Sequence, residues 1–264
     1  MPAPTRSARI CWPRALPCKT RPRARAGSRP DVPRSSATGA APAGNTTADG
    51  TAVGVTPLYW DEACRHLAKR DRVMKKLIPQ FGEARLESRG DAFTTLARSI
   101  IGQQISVPAA QAMWEKFLAL MAGPANQVAP AAVLALDAAL MRAAGLSARK
   151  IDYLCDLAQH FEAGSVHVPQ WQQMDDEAII EELVAIRGIG RWTAEMFLIF
   201  YLMRPNVMPL DDPGLIKGIS QNYFSGEPVS RAEAREVADA WAPYRSVATW
   251  YIWRSLDPLP PARA

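Results

Sequence analysis

Asp211 and Asp212, adjacent carboxylates followed by Pro213, are the residues best equipped for chemistry. A fixed carboxylate can accept a proton, orient water or stabilise a developing positive charge. Taken alone, Asp-Asp-Pro reads as a helix start, with one acid as N-cap and the proline in the first turn. The positive end of such a helix favours a charged acid. About twenty residues earlier stands Arg187-Gly188-Ile189-Gly190-Arg191. Two glycines at this spacing permit a sharp turn with positive φ. A helix that opens just after the turn presents unpaired N–H groups and a positive dipole end, which suits a phosphate. Gly188, Gly190, Arg191 and Thr193 are the residues this places around one. Ser147, Arg149 and Lys150, at another helix start, are equally readable as a second phosphate site or as a solvated helix end.

Aromatic residues supply a second kind of chemistry. Trp192, Tyr201 and Trp253 can present ring faces, which attract a cation by about 0.5–2 kcal/mol. Tryptophans on helices more often pack the core, and Trp114, Trp241 and Trp250 are read that way. Gln103 and Gln104 interrupt a helical pattern with two amides, as an exposed helix–helix turn or as a polar finger. His66, His160 and His167 sit in no metal pattern, and no metal site is expected.

The elements needed to position these groups are all helical. Leu58 to Arg70 and Arg72 to Phe81 predict two short helices. Asp91 opens a stronger one in which Phe93, Leu96 and Ile100 share a face. Pro108 opens the next at its first position, reaching about Met121. Further helices start at Pro130, Asp137 and Ser147, the last reaching about Glu162. Asp175 or Asp176 caps the first hairpin helix, which ends at Ile186, and the second starts near Trp192. Ser230 and Glu233 form a capping-box pattern. Pro243 breaks that helix, and Tyr244 to Arg254 makes the last. No alternation of period two appears, so the fold class is all-α.

Four blocks together resemble the helix-hairpin-helix DNA glycosylases, in their alkylation-repair branch, the DNA-3-methyladenine glycosylase II type. They are residues 96–106, residues 145–150, the stretch from the hairpin to Asp212, and residues 241–246 with 250–253. The resemblance extends over roughly 58–256, nearly all of the foldable chain. The two-glycine turn alone is a weak signal. Joined to Asp211-Asp212 at this spacing and to Trp241-Ala242-Pro243-Tyr244-Arg245-Ser246, it is a strong one.

The resemblance implies two helical lobes with a cleft between them, and the hairpin and Asp212 beside the cleft. It implies an enzyme that flips a damaged nucleotide out of double-stranded DNA and hydrolyses its base–sugar bond. Asp212 matches the required acid, with Asp211 as a cap or loop support. Trp192 stands where relatives that also cut the backbone carry a lysine, so a monofunctional enzyme that leaves an abasic site is expected. Trp192, Met196 and Trp253 match base-pocket positions, and Met196 departs from the aromatic residue of some relatives. An alkylated purine such as 3-methyladenine or 7-methylguanine carries positive charge, which suits aromatic faces and makes it a good leaving group. Gln104 matches the wedge that fills the gap left by the flipped base, with Gln103 beside it. The family often places a monovalent cation among the hairpin carbonyls. No cofactor is expected to be obligatory. The alternatives are a glycosylase for another damaged base and a non-catalytic helix-hairpin-helix module that only grips phosphates.

Bulk composition narrows the setting. The chain has 264 residues, 48% of them hydrophobic, ample for a core. Residues 1–34 carry +8, and the whole chain is +5, so residues 35–264 carry −3. DNA binding by the foldable part must therefore come from local placement and backbone amides, not from bulk charge. Residues 1–55, rich in Pro, Ala and Arg without periodicity, are expected to be a disordered tail. A transit peptide, a nucleic-acid tether and a segment with no role are all open readings of it. Residues 56–264 then form the glycosylase-like domain, expected to be monomeric. Cysteines at 11, 18, 64 and 155 show no metal-ligand spacing and lack the iron–sulfur cluster pattern of some relatives. They fit a reducing compartment. No apolar run approaches membrane-spanning length. The expected place is the bacterial cytoplasm at the nucleoid, or an organelle or nucleus in a eukaryote.

Overall fold

A computed structural model describes residues 55–88, 90–121 and 128–257. The expected tail lies almost wholly outside the described residues. Every regular element among the described residues is helical, as periodicity predicts. In chain order they are α1 (Trp60–Arg70), α2 (Arg72–Leu77), α3 (Ala92–Gly102), α4 (Val107–Leu118), α5 (Pro130–Leu134) and α6 (Ala138–Ala143). Then come α7 (Ala148–Glu162), α8 (Asp176–Val184), α9 (Arg191–Phe200), α10 (Pro213–Tyr223), α11 (Arg231–Asp239) and α12 (Arg245–Arg254). Two 3-10 turns, Ile78–Phe81 and Val168–Gln173, complete the set.

Local chemistry explains most boundaries. Asp91 accepts from the Thr94 amide at 2.8 Å, Asp137 from Ala139 at 2.6 Å and Ser147 from Lys150 at 3.3 Å. Each satisfies an amide that the first helical turn leaves unpaired. Ser230 and Glu233 close the full capping box. Several details differ from expectation. Pro108 takes the second helical position, after Val107, where its missing N–H is equally harmless. Asp175 occupies the N-cap of α8 without a side-chain cap bond. Helix α11 stops at Asp239, ahead of Pro243, and α8 stops at Val184 because the chain tightens there: the Ile186 amide reaches Leu183 O at 3.2 Å.

The helices pack in two groups. One joins α1, α2, α10, α11 and α12, and the other joins α3 to α9. The first is stapled by Asp71, which caps α2 through the Val73 and Met74 amides at 2.7 and 2.9 Å. Its other oxygen accepts from Tyr223 Oη at 2.7 Å and Trp241 Nε1 at 3.0 Å. Burial pushes the Tyr223 phenol far above its usual range. Trp60, Trp171 and Trp241 are fully buried, and Trp114 and Trp250 nearly so, which agrees with the core reading of the last two and of Trp241.

Residues 201–212 cross from α9 to α10 and deliver the acid pair. Ser246, at the start of α12, accepts from the Val207 amide at 2.9 Å and donates to Arg204 O at 2.6 Å. Tyr59 Oη donates to Met203 O at 2.6 Å. Arg204 donates to Met174 O at 2.8 Å and to Trp171 O, and pairs with Asp176 at 3.3 Å. The loop is thus pinned from both helix groups before it reaches Asp211.

Candidate active site

Asp212 is 7% exposed and sits at the N-cap of α10. Its Oδ1 accepts from the Leu215 amide at 2.6 Å and from Trp253 Nε1 at 2.7 Å. Its Oδ2 accepts from Trp192 Nε1 at 2.9 Å. The structure therefore unites three residues from α9, α10 and α12 that lie far apart in sequence. Both tryptophans are half-buried. The Trp253 ring stacks on Phe200, with centroids 5.8 Å apart and planes at 13°. A Cβ on Gly214 would lie 3.0 Å from Asp212 Oδ1 and 3.4 Å from Trp253 Cδ1, so this close approach depends on glycine. Four lone-pair positions on a carboxylate, less three accepted bonds, leave one acceptor position on Oδ2.

Asp211 is the outward member of the pair. It meets Arg231 at 2.5 Å, tying the loop to the start of α11. An open groove of about 500 Å³ lies on this side, lined by Leu210, Asp211, Ile216 and Lys217 among others, and Asp212 is not in its wall.

Two pocket expectations are corrected. Met196 is 1% exposed and belongs to the hydrophobic core. Tyr201 is also 1% exposed and stacks on Phe197 at 4.5 Å. The cause is common to both. Every residue of α9 from Thr193 to Phe200 is buried, so a residue one turn on from Trp192 points into protein.

At the hairpin, Gly188 has φ +87, the left-handed value its glycine permits, and its Cα lies against the Tyr153 ring. Gly190 caps α9 and offers no side chain, so the first-turn amides meet no capping group from it. Thr193 is 6% exposed, which leaves its backbone amide as what it can contribute. The Arg191 side chain is engaged by two carboxylates, forked onto Glu177 at 2.9 Å for one arm and reaching Glu195 at 3.2 Å. Burial raises Glu195 to about 7, with Arg191 pulling it down and Asp211 and Glu177 pushing it up. Sequence reading passed over Glu195, since nothing in its spacing announces a buried acid.

The interrupting turn divides its two glutamines. Gln104 is exposed and left-handed, with φ +59, a rare conformation for a residue with a Cβ. Gln103 corrects the expectation of a DNA contact: its Nε2 donates to Gly188 O at 2.8 Å, across 85 residues. Lys150 likewise departs from the phosphate reading, since its Nζ donates to Ile101 O at 2.6 Å. Both polar ends turn inward because main-chain carbonyls at the buried end of α3 and in the half-buried hairpin need donors. No group of His, Cys, Asp and Glu able to hold a metal occurs among the described residues. No helix among them is long and apolar enough to cross a membrane.

An acid delivered by a hairpin into the join of two helical groups defines a class, and comparison gives it a name. Residues 97–243 match the HhH-GPD superfamily of base excision DNA repair proteins, and the chain belongs to that family. Among curated relatives, DNA-3-methyladenine glycosylase 1 of Schizosaccharomyces pombe is 31% identical over 194 residues, 72% of this chain and 85% of the relative. DNA-3-methyladenine glycosylase 2 of Escherichia coli is 30% identical over 176 residues, 64% of this chain and 59% of the relative. A crystal structure of a Bacillus halodurans DNA-3-methyladenine glycosidase superposes with TM-score 0.68 at 33% identity, covering 73% of this chain and 88% of that one. The S. pombe 3-methyladenine DNA glycosylase bound to abasic DNA gives TM-score 0.65 at 32% identity, covering 74% and 96%. The all-α fold and the family read from the sequence are both borne out.

Proposed function

We propose that the chain is a DNA glycosylase that removes alkylated purines, such as 3-methyladenine and 7-methylguanine, from double-stranded DNA and leaves an abasic site. The observation that carries this is the Trp192–Asp212–Trp253 arrangement: one carboxylate held by two indole N–H groups at a helix start. Relatives of this family that the chain matches along most of their length are named as 3-methyladenine DNA glycosylases.

In this reading the hairpin amides grip a phosphate, a contact indifferent to base sequence. The damaged nucleotide turns out of the stack and Gln104 enters the space it leaves. An alkylated purine already bears positive charge. As its bond to the sugar breaks, the bonding pair leaves with the base, which becomes neutral, and positive charge develops on the sugar. Asp212 stabilises that charge, and its remaining acceptor position on Oδ2 receives a proton from the water that adds to the sugar carbon. Trp192 and Trp253 fix the carboxylate and offer ring faces to the cationic base.

Helices α8 and α9 contain no lysine, and Trp192 occupies the place where an amine would attack, so the reaction is a hydrolysis without a covalent enzyme–DNA adduct. No cofactor is required. Of the hairpin carbonyls, Gly188 O is taken by Gln103 and Ile186 O by the Ile189 amide, and each has room for a second partner. A monovalent cation among them would brace the turn, without entering the reaction. The enzyme acts as a monomer wherever the DNA lies, at the nucleoid of a bacterium or in an organelle or nucleus.

The test is mass spectrometry of free bases released from methylated genomic DNA by the wild type and by Asp212→Asn. Asparagine keeps the helix cap but turns an amide donor toward the Trp192 indole N–H, and release is expected to fall roughly 100-fold or more. No release by either protein, with equal binding to abasic DNA, would make the chain a non-catalytic phosphate grip. Trapping of an adduct by borohydride would overturn the monofunctional reading.

A further inference from the structure

Helix α7 carries Lys150, Tyr153 and Asp156 at successive spacings of three, on one face. Each holds a different piece of the hairpin or of the α3 end that leads into the Gln104 turn. Lys150 Nζ donates to Ile101 O, at the end of α3, at 2.6 Å. The Tyr153 ring lies under the hairpin so closely that a Cβ on Gly188 would fall 2.2 Å from its Cδ2. Asp156 accepts from the Arg187 amide and from Arg187 Nε, both at 2.8 Å. Burial opposes ionisation of Asp156, but these bonds from Arg187 hold it below the usual carboxylate range. Burial also lowers Lys150, as expected of an ammonium drawn away from water toward a carbonyl. Gln103 closes the circuit by donating to Gly188 O at 2.8 Å, directly from the turn to the hairpin. The next residue, Gln104, projects in a left-handed conformation that the chain does not adopt unless its neighbours impose it.

We propose that Lys150 and Gln103 are positioning residues that hold the Gln104 turn in fixed register with the hairpin, so that the phosphate gripped by the hairpin decides where Gln104 enters the duplex. Tyr153 and Asp156 hold the hairpin side of the same register. The proposal rests on the wedge role given to Gln104 above. It goes further in making two donors that never touch DNA responsible for how well the wedge enters.

The experiment binds the full chain at saturation to a duplex with a stable abasic analogue opposite 2-aminopurine, whose fluorescence reports unstacking beside the gap. The wild type is expected to change the signal and Gln104→Ala to lose most of that change. Lys150→Met and Gln103→Glu are expected to reduce it about twofold or more, and Lys150→Arg, which keeps a donor, to restore it. In the Gln104→Ala background Lys150→Met should add nothing, because it acts through Gln104. A full response in Lys150→Met and Gln103→Glu overturns the proposal, as does an equal further loss in the Gln104→Ala background. If Lys150→Met does not fold, the half-buried loop variant Gln103→Glu decides alone. The readout needs no excision. A wild type that releases no methylated purine yet shows the coupled response removes the glycosylase reading and leaves this one standing.

Discussion

Trp253 Nε1 donates to Asp212 Oδ1 at 2.7 Å, and so ties α12 to the acid that opens α10. A hydrogen bond to a charged acceptor is worth about 1.5–3 kcal/mol, enough to fix the carboxylate's direction. Because Trp192 holds the other oxygen at 2.9 Å, rotation of the carboxylate breaks both indole bonds and the Leu215 cap bond together. The acid is oriented by the fold alone, which the transition-state role proposed for it would require.

Trp253→Phe separates that bond from the ring. The variant keeps an aromatic face for Phe200 but loses the N–H together with part of the indole ring. Single-turnover release of methylated purines is expected to fall about 10-fold, the equivalent of roughly 1.4 kcal/mol, while the melting temperature moves little. Trp253→Ala loses ring and bond and should fall further. Equal rates for Trp253→Phe and the wild type would show that the bond does not serve the reaction.

Gly214→Ala sets helix propensity against site geometry. Alanine favours an exposed helix over glycine by up to about 1 kcal/mol. Yet the added carbon would stand 3.0 Å from Asp212 Oδ1 and 3.5 Å from Trp253 Nε1. The expected outcome is a melting temperature at or above that of the wild type, with excision slowed about 10-fold. Denaturation curves and rates measured on one preparation check both halves.

Glu195 makes stability depend on pH. Its folded value, raised to about 7 from an ordinary 4.5, means that the native state binds a proton more tightly than the unfolded chain. Stability is therefore lost as pH rises from about 4.5 to about 7. Glu195→Gln removes the buried charge, while Arg191 keeps Glu177 as its partner. The variant should match the wild type at pH 5 and exceed it at pH 8 by on the order of 2 kcal/mol. Urea denaturation at the two pH values measures it, and a variant less stable than the wild type at pH 8 would refute the assignment.

Asp71→Ala removes an N-cap and takes the acceptor from the buried Tyr223 Oη, while Trp241 Nε1 keeps only its 3.2 Å bond to Tyr223 Oη. A cap is worth about 1 kcal/mol, and orphaned buried donors cost about 1–3 kcal/mol. A loss of about 3 kcal/mol in denaturant unfolding is expected. The hairpin is untouched, so affinity for abasic DNA in the surviving folded fraction should be unchanged.

Much of this molecule was legible in the residues themselves. Period-3.6 patterns and caps at Asp91, Asp137, Ser147 and Ser230 act within a few residues, so the all-α class and most helix starts could be read locally. The hairpin and Asp212 were legible for the same reason, since a two-glycine turn and a cap are short-range devices. Tertiary packing decided which side of α9 faces protein, and thereby moved Met196 and Tyr201 from pocket to core. It also decided that Gln103 and Lys150 turn inward, toward carbonyls that a linear reading leaves unassigned. The two indoles meet on Asp212 only because α12 folds back across α10, and Glu195 is costly only because the packing of α9 into the protein takes it from water. Local spacing fixes which groups a segment offers, whereas their partners depend on long-range packing.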